Sequence, residues 1–301
     1  MSNVSFAFWG TDEFSVTILE ELRKAGLVPA VIVTPPDRPK GRGLVLTPPP
    51  AKEWAQREGV PVLQPERLDS TFSSQLSSFD ASLFVVASYG LIIPQSVLNI
   101  PVKGTLNVHP SLLPHYRGAT PIESQILADE KEVGVTIMLM DAEMDHGPIV
   151  AQRTQQPTTN NQQHIPPTAT ELTTRLAKEG GELLADVIPK WIAGEIEAVP
   201  QDHTQATYTK KLAKTDGEID LSDDGYKNFL KIQAFTGSIG THFFVSSSSP
   251  LQRGGAGGGG VKKIRVNIKS AEFKDGQLHL LRVIPEGKKE MDYGEFMRGL
   301  R

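Results

Sequence analysis

Five short runs of apolar residues in the first half of the chain limit its possible folds more than any other feature. They are Val4 to Phe8, Val28 to Thr34, Ala81 to Ala87, Gly104 to His109 and Val133 to Met140. A strand with one wet face alternates apolar and polar side chains. These runs are nearly continuous, so both faces have to be covered. The stretches between them supply the covers. Asp12 to Lys24 puts Phe14, Ile18, Leu19 and Leu22 on one helical face and is stopped by Gly26. Ala51 to Glu58 and Pro121 to Ala128 read as further helices, and Pro61 to Leu63 as a short strand. The expected architecture is α/β, a Rossmann-like, mostly parallel sheet with helices on both faces. Sheets of that kind bind ligands beyond the carboxyl ends of their strands.

The rhythm then changes. Thr170 to Ile192 is helical in pattern, with an interruption expected at Gly180-Gly181. Past a stretch with Pro200 and few large apolar residues come short strands at Phe243 to Val245, Lys263 to Asn267, Ser270 to Phe273 and Leu278 to Val283. These predict a small antiparallel β-barrel, OB-like, as a C-terminal domain. The serine- and glycine-rich piece from Ser246 to Gly260 reads as a flexible loop or hairpin tip. The expected division is a first domain over 1–192, a linker over 193–206 and a second domain over 207–301.

Charge follows the same division. Residues 1–205 hold 15 Lys and Arg against 24 Asp and Glu, a balance of −9, whereas residues 206–301 hold 16 against 11, a balance of +5. An acidic part joined to a basic part fits one domain for chemistry and one that meets a polyanion, and equally fits a drift of surface charge between domains without function. The absence of cysteine excludes disulfide scaffolds, cysteine-ligated metals and thiol nucleophiles. The seven histidines show no metal-ligand spacing, so no metal is expected. No apolar run approaches the ~18 residues of a membrane span. Met1 to Ser5 carries no basic leader, so the expectation is a cytoplasmic protein without a signal peptide.

Two clusters could carry chemistry. The strand ending at His109 places Asn107 and His109 on one face, and Pro110 ends it. A histidine there can move a proton near neutral pH, and an asparagine beside it can donate to a developing oxyanion; taken alone, the pair equally reads as a capped strand with a hydrogen-bonded histidine. The second cluster, Met140 to Pro148, follows another apolar strand and could bring Asp141, Glu143 and Asp145 to the same edge, with a solvated acidic turn as the alternative. Gly10 sits at the first strand-to-helix turn without a G-x-G-x-x-G spacing, so a dinucleotide site is not expected.

Asn107-x-His109, followed by Ser111-Leu112-Leu113-Pro114-x-Tyr116-Arg117-Gly118 and later by Asp145-x-Gly147-Pro148, resembles the folate-dependent formyltransferase family. The resemblance extends along most of the chain. Pro36 to Gly43, continuing to Lys52, is similar to an insertion that the tRNA-acting branch of the family uses on its substrate. Ala206 to Asp220 and Gly287 to Gly299 resemble the start and end of that branch's C-terminal domain. Asp12, where the family usually has proline, and Thr236 to Gly240 depart from its pattern.

The resemblance implies transfer of a formyl group from 10-formyltetrahydrofolate to the α-amine of methionine on initiator tRNA, by a monomer. It implies Asn107, His109 and Asp145 as the catalytic set. It further implies a folate site along Tyr89, Gly90, Ser111, Leu112, Leu113, Pro114 and Asp141, with Leu112 and Leu113 equally suited to core packing. Arg38, Lys40 and Arg42 become tRNA contacts, with a solvated charged turn as the alternative. Rival readings are a formyltransferase for an amino sugar nucleotide, a formyl-donor hydrolase, and a folate- or RNA-binding protein without turnover.

Overall fold

A computed structural model of the chain describes residues 4–41, 43–155, 165–247 and 262–300. In chain order its elements are β1 (Phe6–Gly10), α1 (Glu13–Lys24), β2 (Val31–Val33), β3 (Arg38–Lys40), β4 (Val45–Thr47), α2 (Pro50–Glu58) and β5 (Val62–Leu63). They continue with α3 (Ser70–Ser77), β6 (Leu83–Ala87), α4 (Gln95–Leu98), β7 (Thr105–His109), α5 (Pro121–Leu127), β8 (Val133–Leu139), β9 (Ile149–Gln155) and α6 (Ala169–Ala193). The C-terminal part adds α7 (Gly225–Phe235), β10 (Thr241–Ser247), β11 (Lys262–Lys274), β12 (Gln277–Pro285), β13 (Met291–Asp292) and α8 (Tyr293–Arg298).

Among the described residues the chain divides into two compact units, one of 4–121, 131–155 and 172–210, the other of 122–130, 165–171 and 211–300. The stretch 193–206, expected as a linker, thus falls inside the first unit.

The first unit is built on a seven-stranded sheet in the order β5-β2-β1-β6-β7-β8-β9. Pairing is parallel from β5 to β7, and β8 and β9 run antiparallel to their neighbours. Every residue of β1, β2 and β6 is buried, as their continuous apolar runs require. One face carries Ala7, Trp9, Val33, Phe84 and Val86 under Phe72 and Leu76 of α3 and Val97 and Leu98 of α4.

The Gly180-Gly181 pair does not interrupt α6, which is continuous. A Cβ at Gly180 would stand 2.7 Å from a Val108 methyl carbon, and one at Gly181 would stand 2.7 Å from Cβ of Glu21. The two glycines therefore serve close approach, letting α6 lie against β7 on one side and α1 on the other. Gly10 has the same kind of reason: its Cβ would come within 2.6 Å of the Ser15 hydroxyl. That hydroxyl donates to the Ala87 carbonyl at 2.7 Å and so ties α1 to the end of β6.

The second unit carries a four-stranded antiparallel sheet in the order β10-β11-β12-β13. Phe243, Val266, Ile268 and Val283 pack with Ile232 of α7 and Phe296 of α8. The two strands expected at Lys263 to Asn267 and Ser270 to Phe273 are one strand, β11, kinked by a register shift between Ile268 and Ala271. The Thr236 to Gly240 segment closes α7 with a turn in which the amides of Ser238 and Gly240 donate to the Phe235 carbonyl. Most of Ser246 to Gly260 lies outside the described residues.

Candidate active site

Chain order reverses at β1: β2 lies on one side of it and β6 on the other, with β7 beyond. A doubly wound sheet opens a crevice at that point. Here the two loop ends are stitched together. The Thr11 hydroxyl donates to the Tyr89 carbonyl at 2.9 Å, and the Ser88 hydroxyl donates to the Asp12 carboxylate at 2.6 Å. A cavity of about 320 Å³ opens beside the stitch, lined by Thr11, Arg38, Lys40, Gly90 and Leu91 and by prolines from both flanks of the β3–β4 hairpin.

One strand further along, His109 ends β7 and is 4% exposed. Its Nε2 lies 3.0 Å from the Tyr116 carbonyl. A carbonyl only accepts, which assigns a proton to Nε2 and leaves Nδ1 facing the Asp145 carboxylate at 3.6 Å. A second proton, placed at Nδ1, lies between ring and carboxylate and makes the ring an imidazolium. Asp145 is itself held from behind. Its Oδ2 accepts the Gly118 N–H at 2.7 Å, and its backbone sits in the left-handed region at φ 52°. Asn107, two residues before His109 on the same strand, is half-buried.

The Ser111 to Pro114 stretch is more tightly bound into the protein than an open ligand wall. The Ser111 hydroxyl donates to the His115 carbonyl at 2.7 Å. The Thr136 hydroxyl donates to the Ser111 carbonyl at 2.6 Å and accepts the Leu113 N–H at 3.1 Å. Gln152 donates to the Leu113 carbonyl at 2.8 Å. Leu113 is buried, and Leu112 lies over Gly134, while Pro114 follows Leu113 through a cis peptide.

Thr136, a lone polar residue in β8, and Gln152, the first of four consecutive polar residues in β9, have no sequence signal, because both read as surface. Tyr89 is buried with its ring edge-on to Trp9 at 5.1 Å, and burial pushes its phenol up to about 12. Leu91 and Ile92, which follow β6, and Met144, in the loop after β8, carry exposed apolar side chains. Asp141 accepts from His146 Nδ1 at 2.7 Å and from the Glu143 N–H at 2.9 Å.

The segment expected to meet RNA forms the β3–β4 hairpin. Arg38 and Lys40 on its first strand are exposed, as are Leu44, Val45 and Leu46 beyond its turn. Arg42 lies outside the described residues. Lys52 differs from the two exposed cations: its ammonium contacts both carboxylate oxygens of Asp37 at 2.8 Å. Hydrogen bonds from Gln64 and Lys52 hold the Asp37 carboxyl below its ordinary range. This cluster anchors the base of the hairpin.

A family model described as "Formyl transferase" matches residues 2–188. The chain belongs to the formyl transferase family. A methionyl-tRNA formyltransferase of Herpetosiphon aurantiacus is 38% identical over 319 residues, spanning 98% of this chain and 97% of the relative. One of Chloroflexus aurantiacus is 50% identical over 218 residues, spanning 71% of this chain and 68% of that one.

Among solved structures, a methionyl-tRNA formyltransferase from Clostridium thermocellum superposes with a TM-score of 0.60 at 13% identity, covering 96% of this chain and 99% of its own. An N-formyltransferase from Helicobacter canadensis, solved with folinic acid and dTDP-3-aminofucose, gives 0.56 at 19% identity, covering 78% and 81%. At those identities the two structures speak for the fold. No helix among the described residues is long and apolar enough to cross a membrane.

Proposed function

We propose that the chain transfers a formyl group from 10-formyltetrahydrofolate to the α-amine of methionine on initiator tRNA, acting as a cytoplasmic monomer in translation initiation. The observation that carries this reading is likeness to methionyl-tRNA formyltransferases along nearly the full length. That length includes the basic hairpin and the C-terminal third, which a transferase for a small amine has no reason to keep.

The formyl donor is a substrate, consumed at each turnover. Attack by the amine forms the new C–N bond and puts negative charge on the formyl oxygen. Asn107 and the His109 imidazolium are the donors for that charge, each worth roughly 3 kcal/mol when well placed. Asp145 holds His109 and helps to remove the proton that the amine sheds on attack. Collapse of the tetrahedral intermediate breaks the bond to N10, and the proton shed by the amine ends on N10 of the departing tetrahydrofolate. Tyr89 and Gly90, with the turn from Ser111 to Pro114 and Asp141, shape the edge where the folate sits. The open side chains of Leu91, Ile92 and Met144 supply the apolar cover that a flat pterin needs. The chemistry needs no thiol and no metal.

Incubation with 10-formyltetrahydrofolate and a panel of acceptors tests the reading. Methionine-charged initiator tRNA should be formylated, and free methionine and an amino sugar nucleotide should not. Formylation of the sugar in preference to the tRNA would overturn it, and release of formate without any acceptor would point to a hydrolase.

Arg38 and Lys40, exposed on the hairpin whose base Lys52 anchors, are proposed to meet tRNA phosphates, and Arg42 is proposed as a third such contact. Replacing Arg38 and Lys40 together by alanine should raise KM for charged tRNA while leaving KM for the folate within about twofold. It should also flatten the dependence of tRNA affinity on salt, by about one unit of logarithmic slope for each phosphate no longer neutralised. Equal effects on both substrates would make the hairpin a structural element.

A further inference from the structure

The stretch expected as a linker and the first residues of the expected second domain both reach back into the catalytic frame. Residues 207–209 pair with the strip 116–118. Arg117 N–H donates to the Thr207 carbonyl at 2.9 Å, Thr209 N–H donates to the Arg117 carbonyl at 2.7 Å, and Tyr116 N–H donates to the Thr207 hydroxyl at 2.8 Å. That strip is the one that holds both members of the dyad: the Tyr116 carbonyl takes the His109 Nε2–H, and the Gly118 N–H holds the Asp145 carboxylate.

Between those two points lies Arg117, a cation only 1% exposed. Its donors go to Gln201 Oε1 at 2.6 and 3.2 Å, to the Tyr208 hydroxyl at 3.1 Å and to His203 Nδ1 at 2.9 Å. A guanidinium only donates, so His203 accepts at Nδ1. Its ring is stacked on His146 at 4.0 Å between centroids.

Gln201 is 6% exposed and uses both ends of its amide. The oxygen is taken up by Arg117. The nitrogen donates to the Asp145 carbonyl at 3.0 Å and to the Gly147 carbonyl at 2.6 Å. It therefore grips the Asp145 turn on both sides of His146, at a residue whose left-handed backbone no regular element maintains.

We propose that Gln201, oriented by Arg117, is a positioning residue that sets the Asp145 carboxylate against His109. The proposal rests on the catalytic reading of that dyad. A side chain in such a role acts only through Asp145. Its removal lowers the rate because the carboxylate drifts, and a misplacement on the order of 1 Å is enough for a 10²-fold loss.

The test is a double-mutant cycle on the full chain, with kcat, KM for both substrates and melting temperature read for every variant. Gln201→Leu removes every hydrogen bond of the amide. Gln201→Glu keeps an acceptor for Arg117 but has no N–H for the two carbonyls, and serves if the leucine variant folds poorly. Either should lower kcat by about 10- to 100-fold with KM for the folate within about twofold.

In an Asp145→Asn background the same substitutions should change kcat by less than about twofold, since the group they position no longer functions. Unchanged kcat in the Gln201 single variants would overturn the proposal. So would a full multiplicative loss in the Asp145→Asn background, the mark of a general structural role. A fully active Asp145→Asn protein would instead overturn the catalytic reading on which the proposal rests.

Discussion

His109→Ala should lower kcat for formylation of charged tRNA by about 10²- to 10⁴-fold, the range spanned by losing one oxyanion donor or one proton-transfer group. The size of the effect follows from where the ring stands. It is 4% exposed at the end of β7, it shares a strand face with Asn107, and both of its nitrogens face fixed partners, the Tyr116 carbonyl and the Asp145 carboxylate. With Nε2–H committed to the Tyr116 carbonyl, the donor to a new charge is Nδ1. Its 3.6 Å separation from Asp145 is longer than a hydrogen bond and leaves its N–H available to the oxyanion, in a ring that loses little freedom on donating.

The substitution also leaves the Tyr116 carbonyl without the His109 donor, at a cost to stability on the order of 1–3 kcal/mol. The expected result is therefore a folded protein with a modestly lower melting temperature and a much lower rate. Single-turnover formylation and a thermal melt measure the two separately. A rate within about fivefold of the parent would remove His109 from the chemistry, because neither role ascribed to it is that small.

Much of this is legible in the sequence because the relevant signals are local. The runs Ala81 to Ala87 and Gly104 to His109 read as doubly covered strands; β6 is buried throughout, and β7 everywhere but at Asn107. The alternation that places Asn107 with His109 needs no knowledge of the rest of the fold.

What escapes is what depends on partners distant in sequence. β9 mixes apolar and polar residues without a clean period, since it lies at the sheet's outer end, and nothing local marks it. Gly180-Gly181 reads as a break because a glycine's intrinsic cost in a helix is visible in sequence, while the proximity of Val108 and Glu21 that calls for it is not. Lys52 reads as one more cation of the basic loop, yet its partner Asp37 stands 15 residues away and turns it into an anchor. Gln201 falls in a stretch poor in large apolar residues and so reads as linker, although its amide is committed to the turn that carries Asp145.

Asp145→Asn should be the cleaner of the two lesions in the dyad. The amide fits the space of the carboxylate, and its oxygen can keep the Gly118 N–H that Oδ2 now accepts at 2.7 Å. Its nitrogen then points toward His109, where it meets Nδ1, because Nε2 is already committed to the Tyr116 carbonyl. The asparagine donates to Nδ1 and occupies the one site where the ring could take a second proton.

His109 is thereby locked as a neutral imidazole whose only proton is committed to a backbone carbonyl. It can neither present an imidazolium to the developing oxyanion nor pass a proton to a carboxylate. The expected loss is on the order of 10³- to 10⁴-fold in kcat, the scale at which a catalytic histidine fixed in the wrong protonation state fails. KM for both substrates should stay within about threefold, because the groups ascribed to holding them are untouched.

Asp145→Ala is the necessary comparison. It strips the Gly118 N–H of its acceptor and should lower the melting temperature as well as the rate, whereas the asparagine variant should melt close to the parent. Retention of more than about a tenth of the parent rate by Asp145→Asn would mean that the carboxylate's charge is not used in the reaction, since a tenfold effect is below the range of acid–base catalysis.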